Sequence, residues 1–366
     1  MLNYQGEKNF QHDQPETIGV LITNLGTPDS PTPKGLRKYL KEFLSDRRVV
    51  EIPRFVWMLI LHGIILPLRP KKSAHAYQSV WTDQGSPLLV ISQKQQRALQ
   101  QELNEHYKVP VKLELGMRYG SPSIASALEK LKAANARRIM ILPLYPQYAS
   151  STTGSTFEAV SRVIGRWRWV PEIRFINQYH DNDLYIEALA NSVRESFASK
   201  GQPERLLMSF HGIPKITQLD GDPYLCHCHK TGRLLAERLG LSADQYMVTF
   251  QSRFGKAEWI QPYTEQTLKM LGAAGVEHVA VVTPGFSADC LETLEEIGEE
   301  NKGYFLAAGG QRYDYIPCLN ERADHMTALL AIIDSNLTAW VTALATRNES
   351  LKDTQQRATV ESDTVM

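Results

Sequence analysis

Two hydrophobic periods alternate along this chain. Short aliphatic and β-branched runs, such as 18–24 (IGVLITN), 205–209 (RLLMS) and 279–283 (VAVVT), read as strands buried on both faces. Between them lie stretches of helical period, for example Pro122–Ala134 and Gln261–Ala274. Strands alternating with helices predict parallel sheets joined by right-handed crossovers. A late apolar period, about Asp324–Leu344, predicts a helix that packs back on the body of the molecule. The polar stretch after about Ala345 has no such period, and 346–366 is expected to be disordered.

The order of the elements repeats. GVLITNLGTP, ending at Pro28, matches RLLMSFHGIP, ending at Pro214: a strand, two residues, Gly, one residue, Pro. Leu113–Gly120 (LELGMRYG) parallels Val248–Gly255 (VTFQSRFG). The stretch from Leu131 (LKAANARRIMI) parallels that from Leu271 (LGAAGVEHVAV), each a helix end running into a strand. Three matches in the same order point to an internal duplication. Two Rossmann-like α/β domains are expected, 17–165 and 166–324, facing each other across a cleft, with the 325–345 helix returning to the first.

The halves differ where strands end, which is where open α/β sheets bind ligands. The first half has Leu25 where the second has His211. The first carries an aromatic wall around Tyr145 and Tyr148. The second carries an acidic helix, in which Glu292, Glu296 and Glu299 or Glu300 share one face at helical spacing. A solvated acidic face is the bland account of that row. The chemical one is a carboxylate ladder for a cation or for protons, since crowded carboxylates raise one another's pKa. The turn at Asn24–Pro28 lacks G-x-G-x-x-G and no Walker lysine motif appears, so nucleotide binding is not expected. Cys226-His227-Cys228-His229 has metal-binding residue types, but neighbours on one element point apart and no second pair stands at zinc spacing. A plain variable segment is the preferred account of it.

Composition narrows the class. Lys plus Arg equals Asp plus Glu, 40 each, so no net field draws nucleic acid. Four cysteines do not make a disulfide framework, and a reducing cytosol is expected. The first 16 residues have no apolar secretory core. The longest apolar run, Phe55–Pro67, is too short to span a bilayer. It is followed by Arg69, Lys71 and Lys72, and 55–72 reads either as core or as an apolar lip able to rest on a membrane surface.

Taken together, these stretches resemble the ferrochelatase family, from about residue 18 to 320. The resemblance is carried by Leu25-Gly26-Thr27-Pro28, Phe43-Leu44-Ser45-Asp46, Gly85-Ser86-Pro87, Arg118-Tyr119, Tyr145-Pro146-Gln147-Tyr148, Ser151-Thr152-Thr153-Gly154, Ser209–Pro214, Gly221–Tyr224, Phe250–Arg253 and Asp289–Thr293, in the family's order. It implies parallel four-stranded sheets of the chelatase type and insertion of Fe(II) into protoporphyrin IX as the last step of haem synthesis. His211 matches the family's essential histidine and Glu292 the glutamate facing it; both are implied metal ligands. Glu296 and Glu300 fall on its carboxylate ladder, while Leu25, Arg118, Tyr145 and one of Arg47 or Arg48 (Arg47 preferred) are implied to line the porphyrin pocket. Where some members have His two residues before the glutamate, this chain has Cys290. Where cluster-bearing members have a cysteine after the Tyr-Pro-Gln-Tyr stretch, it has Ser150, so no [2Fe-2S] cluster or other cofactor is expected. Asp29 after the Gly-Thr-Pro turn favours protoporphyrin over coproporphyrin. Iron and the porphyrin are the expected partners, with a cytoplasmic monomer touching the inner membrane face through 55–72. The alternatives are a chelatase for another metal or tetrapyrrole, a non-catalytic porphyrin carrier, and a metallochaperone using Cys226–His229.

Overall fold

The computed structural model describes residues 4–7, 10–11, 14–255 and 257–364, with 350–364 described by backbone alone. The first half runs β1 (Thr17–Thr27), α1 (Pro33–Leu44), α2 (Arg54–Ile60), a π-helical turn (Leu61–Ile65), α3 (Leu66–Val80), α4 (Pro87–His106), β2 (Val111–Gly120), α5 (Ile124–Ala133), β3 (Ala136–Pro143), a second π-helical turn (Ser150–Gly154), α6 (Ser155–Ile164) and β4 (Glu172–Phe175). The second runs α7 (Asp183–Lys200), β5 (Arg205–His211), α8 (Lys215–Leu219), α9 (Tyr224–Leu239), β6 (Tyr246–Gln251), α10 (Thr264–Ala273), β7 (His278–Val282), a π-helix (Glu292–Glu300), α11 (Asn301–Ala307), β8 (Arg312–Ile316) and α12 (Ala323–Thr364).

The duplication is visible in the sheets. Each has four parallel strands, ordered β2-β1-β3-β4 and β6-β5-β7-β8. The loops after β2 and β6 close alike: the Met117 amide donates to the Pro122 carbonyl, 2.6 Å, and that of Phe250 to Pro262, 2.9 Å, which equates Met117 with Phe250 and corrects by two residues the register in which LELGMRYG was laid on VTFQSRFG. β4 belongs to the first sheet, so that unit runs past residue 165, where the sequence suggests its end. Four residues of weak apolar pattern gave no sign of the strand; pairing with Arg138–Ile141 makes it.

Alternation in the strands assigns the layers. Ile18, Val20 and Ile22 of β1, with Leu206, Met208 and Phe210 of β5, face one shared core, filled from α4, α7, α9 and α12. Leu21 and Ile141 face α5 and α6 instead, and Leu207 and Val281 face α10 and α11. Both faces of each sheet are thus covered, which is why the strands read as continuous apolar runs. Burying the two sheets on common helices also fixes the angle at which their strand ends meet.

Among the described residues, one helical stretch, Ala323–Glu349, is long and apolar enough to cross a membrane. Its Met326, Leu329, Ile333, Leu337, Trp340 and Leu344 recur at three and four residues and are buried in the shared core, which accounts for its hydropathy. α12 packs on α4, α7 and β3. The disorder expected for 346–366 is corrected: the backbone stays helical to Thr364, while 365 and 366 lie outside the described residues. Polarity alone does not end a helix. No Pro or Gly interrupts 324–364, and Ala, Leu, Lys, Gln and Arg carry it onward.

Candidate active site

His211 is the last residue of β5, at the carboxyl edge of the second sheet. Its Nδ1 lies 2.6 Å from the Gly212 carbonyl, which can only accept, so in the neutral ring Nδ1 carries the proton and Nε2 is left with its lone pair. Gly212 permits this turn. A Cβ there would stand 3.0 Å from the Gln251 carbonyl and 3.1 Å from the Trp259 ring.

Gln251 joins the histidine strand to the acidic helix. It is the register partner of His211, accepts from Ser209 Oγ at 2.8 Å, and donates through Nε2 to the Glu292 carbonyl at 3.0 Å. The next residue, Ser252, sits at φ 64°, in the left-handed region. That conformation aims both its amide (2.8 Å) and its hydroxyl at the Glu296 carboxylate. Sequence reasoning passed over both residues. The signal was the Gln-Ser pair at a strand end, unreadable without knowing which helix faces it.

The acidic segment is π-helical, not α-helical, from Glu292 to Glu300. Bonds from i to i+5 widen the turn. Glu292 and Glu296 remain on one side, and Glu300 is brought against Glu295 as well. Burial, outweighing the Ser252 hydrogen bonds, lifts the Glu296 carboxyl to about 7, with the charges of Glu292 and Glu300 adding to the shift. Burial and then Glu300 also raise Glu295, against the pull of Lys72. A half-buried carboxyl that titrates near neutrality is not a solvated acidic face.

Glu292 lies under the first unit. Its charge, after burial itself, is the next cause that holds the Tyr77 phenol protonated, and it acts on Tyr39 too. Arg69 of α3 is within its electrostatic reach, 5.8 Å from the Phe254 ring centroid. Leu25 touches both units, packing with Tyr119 and Trp57 on one side and with Leu88, Ala288 and Cys290 on the other. The turn after it needs Gly26 at φ 101°, where a Cβ would be 1.8 Å from the Tyr119 carbonyl.

Arg118 is committed to its own unit. It pairs with Asp46, bonds Ser155 through Nε at 2.6 Å, and stacks 4.4 Å over Tyr119. Burial works to raise the Asp46 carboxyl, but donors from Ser155, Arg48 and Tyr119 and the Arg118 charge hold it low. Arg48 is likewise engaged, by Glu158 at 3.1 Å and Ser150 at 2.9 Å. Arg47 is exposed and joins none of the ion pairs among the described residues. The Tyr145 hydroxyl is buried with no hydrogen-bond partner among the described residues, a donor held ready beside Tyr119 and Arg118.

Strand ends of both units therefore converge. Asn24 reaches Ser287 (3.3 Å), Gln95 reaches the Ser287 carbonyl (2.8 Å), and Gln147 reaches Thr231 (3.0 Å), all across the unit boundary. Among the described residues, no three His, Cys, Asp or Glu side chains group as a closed metal cage, at Cys226–His229 or elsewhere.

Comparison with known proteins gives a consistent picture. The profile of the ferrochelatase family matches residues 17–337. The ferrochelatase of Thioalkalivibrio sulfidiphilus is 57% identical over 339 residues, 93% of this chain and 92% of that one. The ferrochelatase of Marinobacter nauticus is 54% identical over 92% of this chain and 91% of its own. Among solved structures, SirB from Bacillus subtilis with Fe3+ superposes with a TM-score of 0.52, covering 88% of this chain and 95% of that one at 14% identity, a likeness of fold.

Proposed function

The chain belongs to the ferrochelatase family, and from that premise we infer that it inserts Fe(II) into protoporphyrin IX, forming protohaem with release of two protons. It is a lyase of haem biosynthesis. The observation that carries this reading onto particular residues is the Gln251 bridge, which sets His211 on one strand end beside the π-helix bearing Glu292 and Glu296.

Metallation exchanges two pyrrole N–H protons for one divalent cation. The macrocycle must be puckered to expose its nitrogens, a strain supported by binding energy from its periphery. Leu25 and the aromatic residues of the first unit form the apolar wall against which it is pressed. Arg47 and the Tyr145 hydroxyl meet its carboxylates, and Arg118 holds Asp46, Tyr119 and Ser155 in place behind them. Nε2 of His211 then takes a pyrrole proton or a coordination position on the iron, with Glu292 sharing the metal. Glu296, poised near neutrality, receives protons and hands them to Glu300 and solvent.

No [2Fe-2S] cluster enters the reading: Ser150 stands where a ligand is needed, and the chain has no cysteine after Cys318. The protein works as a cytoplasmic monomer at the inner membrane face, resting on the lip of α2 and α3, where Phe55 is 77%, Leu59 62% and Leu68 71% exposed. Anaerobic incubation with Fe(II) and protoporphyrin IX tests the activity. Catalytic conversion of the four-band free-base spectrum to the two-band metallated one is expected. Tight porphyrin binding without turnover favours a carrier instead, and turnover with Co(II) or Ni(II) in preference to Fe(II) favours the related chelatase.

A further inference from the structure

The run Cys226–His229 plays no part in the chemistry above. It lies across the first two turns of α9, which splays its members: Cys228 is buried, Cys226 exposed, and the His229 ring meets Phe250 edge-on at 6.2 Å. His227 turns to the first unit. Its ring lies flat on that of His180, with 3.9 Å between centroids and 11° between planes. Its Nδ1 accepts the backbone N–H of Tyr148 at 3.2 Å.

Two more bonds flank that one. Gln147 Nε2 donates to Thr231 Oγ1 at 3.0 Å, and the Ser150 amide donates to Asp222 Oδ2 at 2.7 Å. Three donors of 147–150, the segment that follows Tyr145, thus land on three acceptors in 222–231. Of the three acceptors, only the histidine nitrogen loses its lone pair to a proton on mild acidification. We propose that His227 is a positioning residue for the porphyrin wall: neutral, it clamps the Tyr145–Ser150 segment to α9, and protonated, it lets that segment go, so that porphyrin affinity falls on acidification.

The surroundings place that protonation on the acid side of neutrality. Burial draws both rings below the ordinary histidine range, His180 to about 4; Asp181 and Asp222 favour the charged form of His227, and Lys230 opposes it. The charge of His227, after burial itself, lowers His180 in turn. Lys230 is itself paired with Asp181.

The proposal rests on the porphyrin reading, and the experiment separates the two. Protoporphyrin IX binding, without metal, is followed by fluorescence quenching from pH 8 to 5.5 for the wild type, His227→Gln and His227→Ala. The Gln amide oxygen accepts an N–H and does not titrate. The wild type should weaken about fivefold over this range, the scale of one hydrogen bond. His227→Gln should lose most of that step, and His227→Ala should be about fivefold weaker at every pH. A purely structural role lowers affinity without altering the pH step, so a His227→Gln profile like the wild type's overturns the clamp even if His227→Ala does not fold. Absence of porphyrin binding by the wild type at pH 8 overturns the porphyrin reading, and the clamp with it.

Discussion

At the residue scale, the chemistry turns on how few groups titrate where they are needed. Glu296 is protonated below about pH 7 because burial makes its charge costly. Turnover should therefore rise as pH rises through about 7, and Glu296→Gln should flatten that rise and slow turnover about 10²-fold. Linkage gives a second readout. A carboxyl raised from 4.5 to about 7 binds its proton more tightly when folded, so its contribution falls as pH climbs from 4.5 through 7. Glu296→Gln removes that cost and should melt higher than the wild type at pH 8, but not at pH 5. Equal melting temperatures at pH 8 would mean that the carboxyl is solvated. His211 and the glutamates were legible in the sequence only through the family motifs they match, since helical spacing alone left a solvated acidic face open. Ser252 was not, since its role depends on a backbone angle and on a partner 44 residues away.

At the scale of elements, sequence period told strand from helix well and helix from π-helix not at all. The α-helical spacing of Glu292, Glu296 and Glu300 holds approximately in a π-helix, so the pattern was right for a reason that was incomplete. The tail shows the converse error, where a missing apolar period was taken for missing structure. α12 divides accordingly. Leu337 is fully buried in the shared core, and Leu337→Ala should cost about 2–5 kcal/mol in urea unfolding. Beyond Leu344, among the described residues, Arg347 pairs with Glu16 at 2.9 Å, exposed on the arginine side. Arg347→Ala should leave stability within about 1 kcal/mol and turnover unchanged. A larger loss would show that the pair is shielded from solvent.

At the scale of the whole molecule, the duplication was legible because both halves kept the same turn grammar. What the sequence did not reveal is that the halves share one core, so the two sheets are packed on common helices and are not independent domains. The exposed lip carries Arg54, Lys71 and Lys72 as well as Phe55, Leu59 and Leu68. Sedimentation with vesicles containing anionic lipid should carry the protein down, and a Phe55→Ser, Leu59→Ser, Leu68→Ser triple variant should stay in solution with its fold intact. Equal sedimentation of the two would remove the membrane from the account. The central claim, that metallation occurs at the strand edge of the second unit, is tested most directly in His211→Ala by two readings on one sample. Protoporphyrin quenching should persist with affinity close to the wild type's while anaerobic Fe(II) insertion falls below detection. Insertion at the wild-type rate would contradict the account.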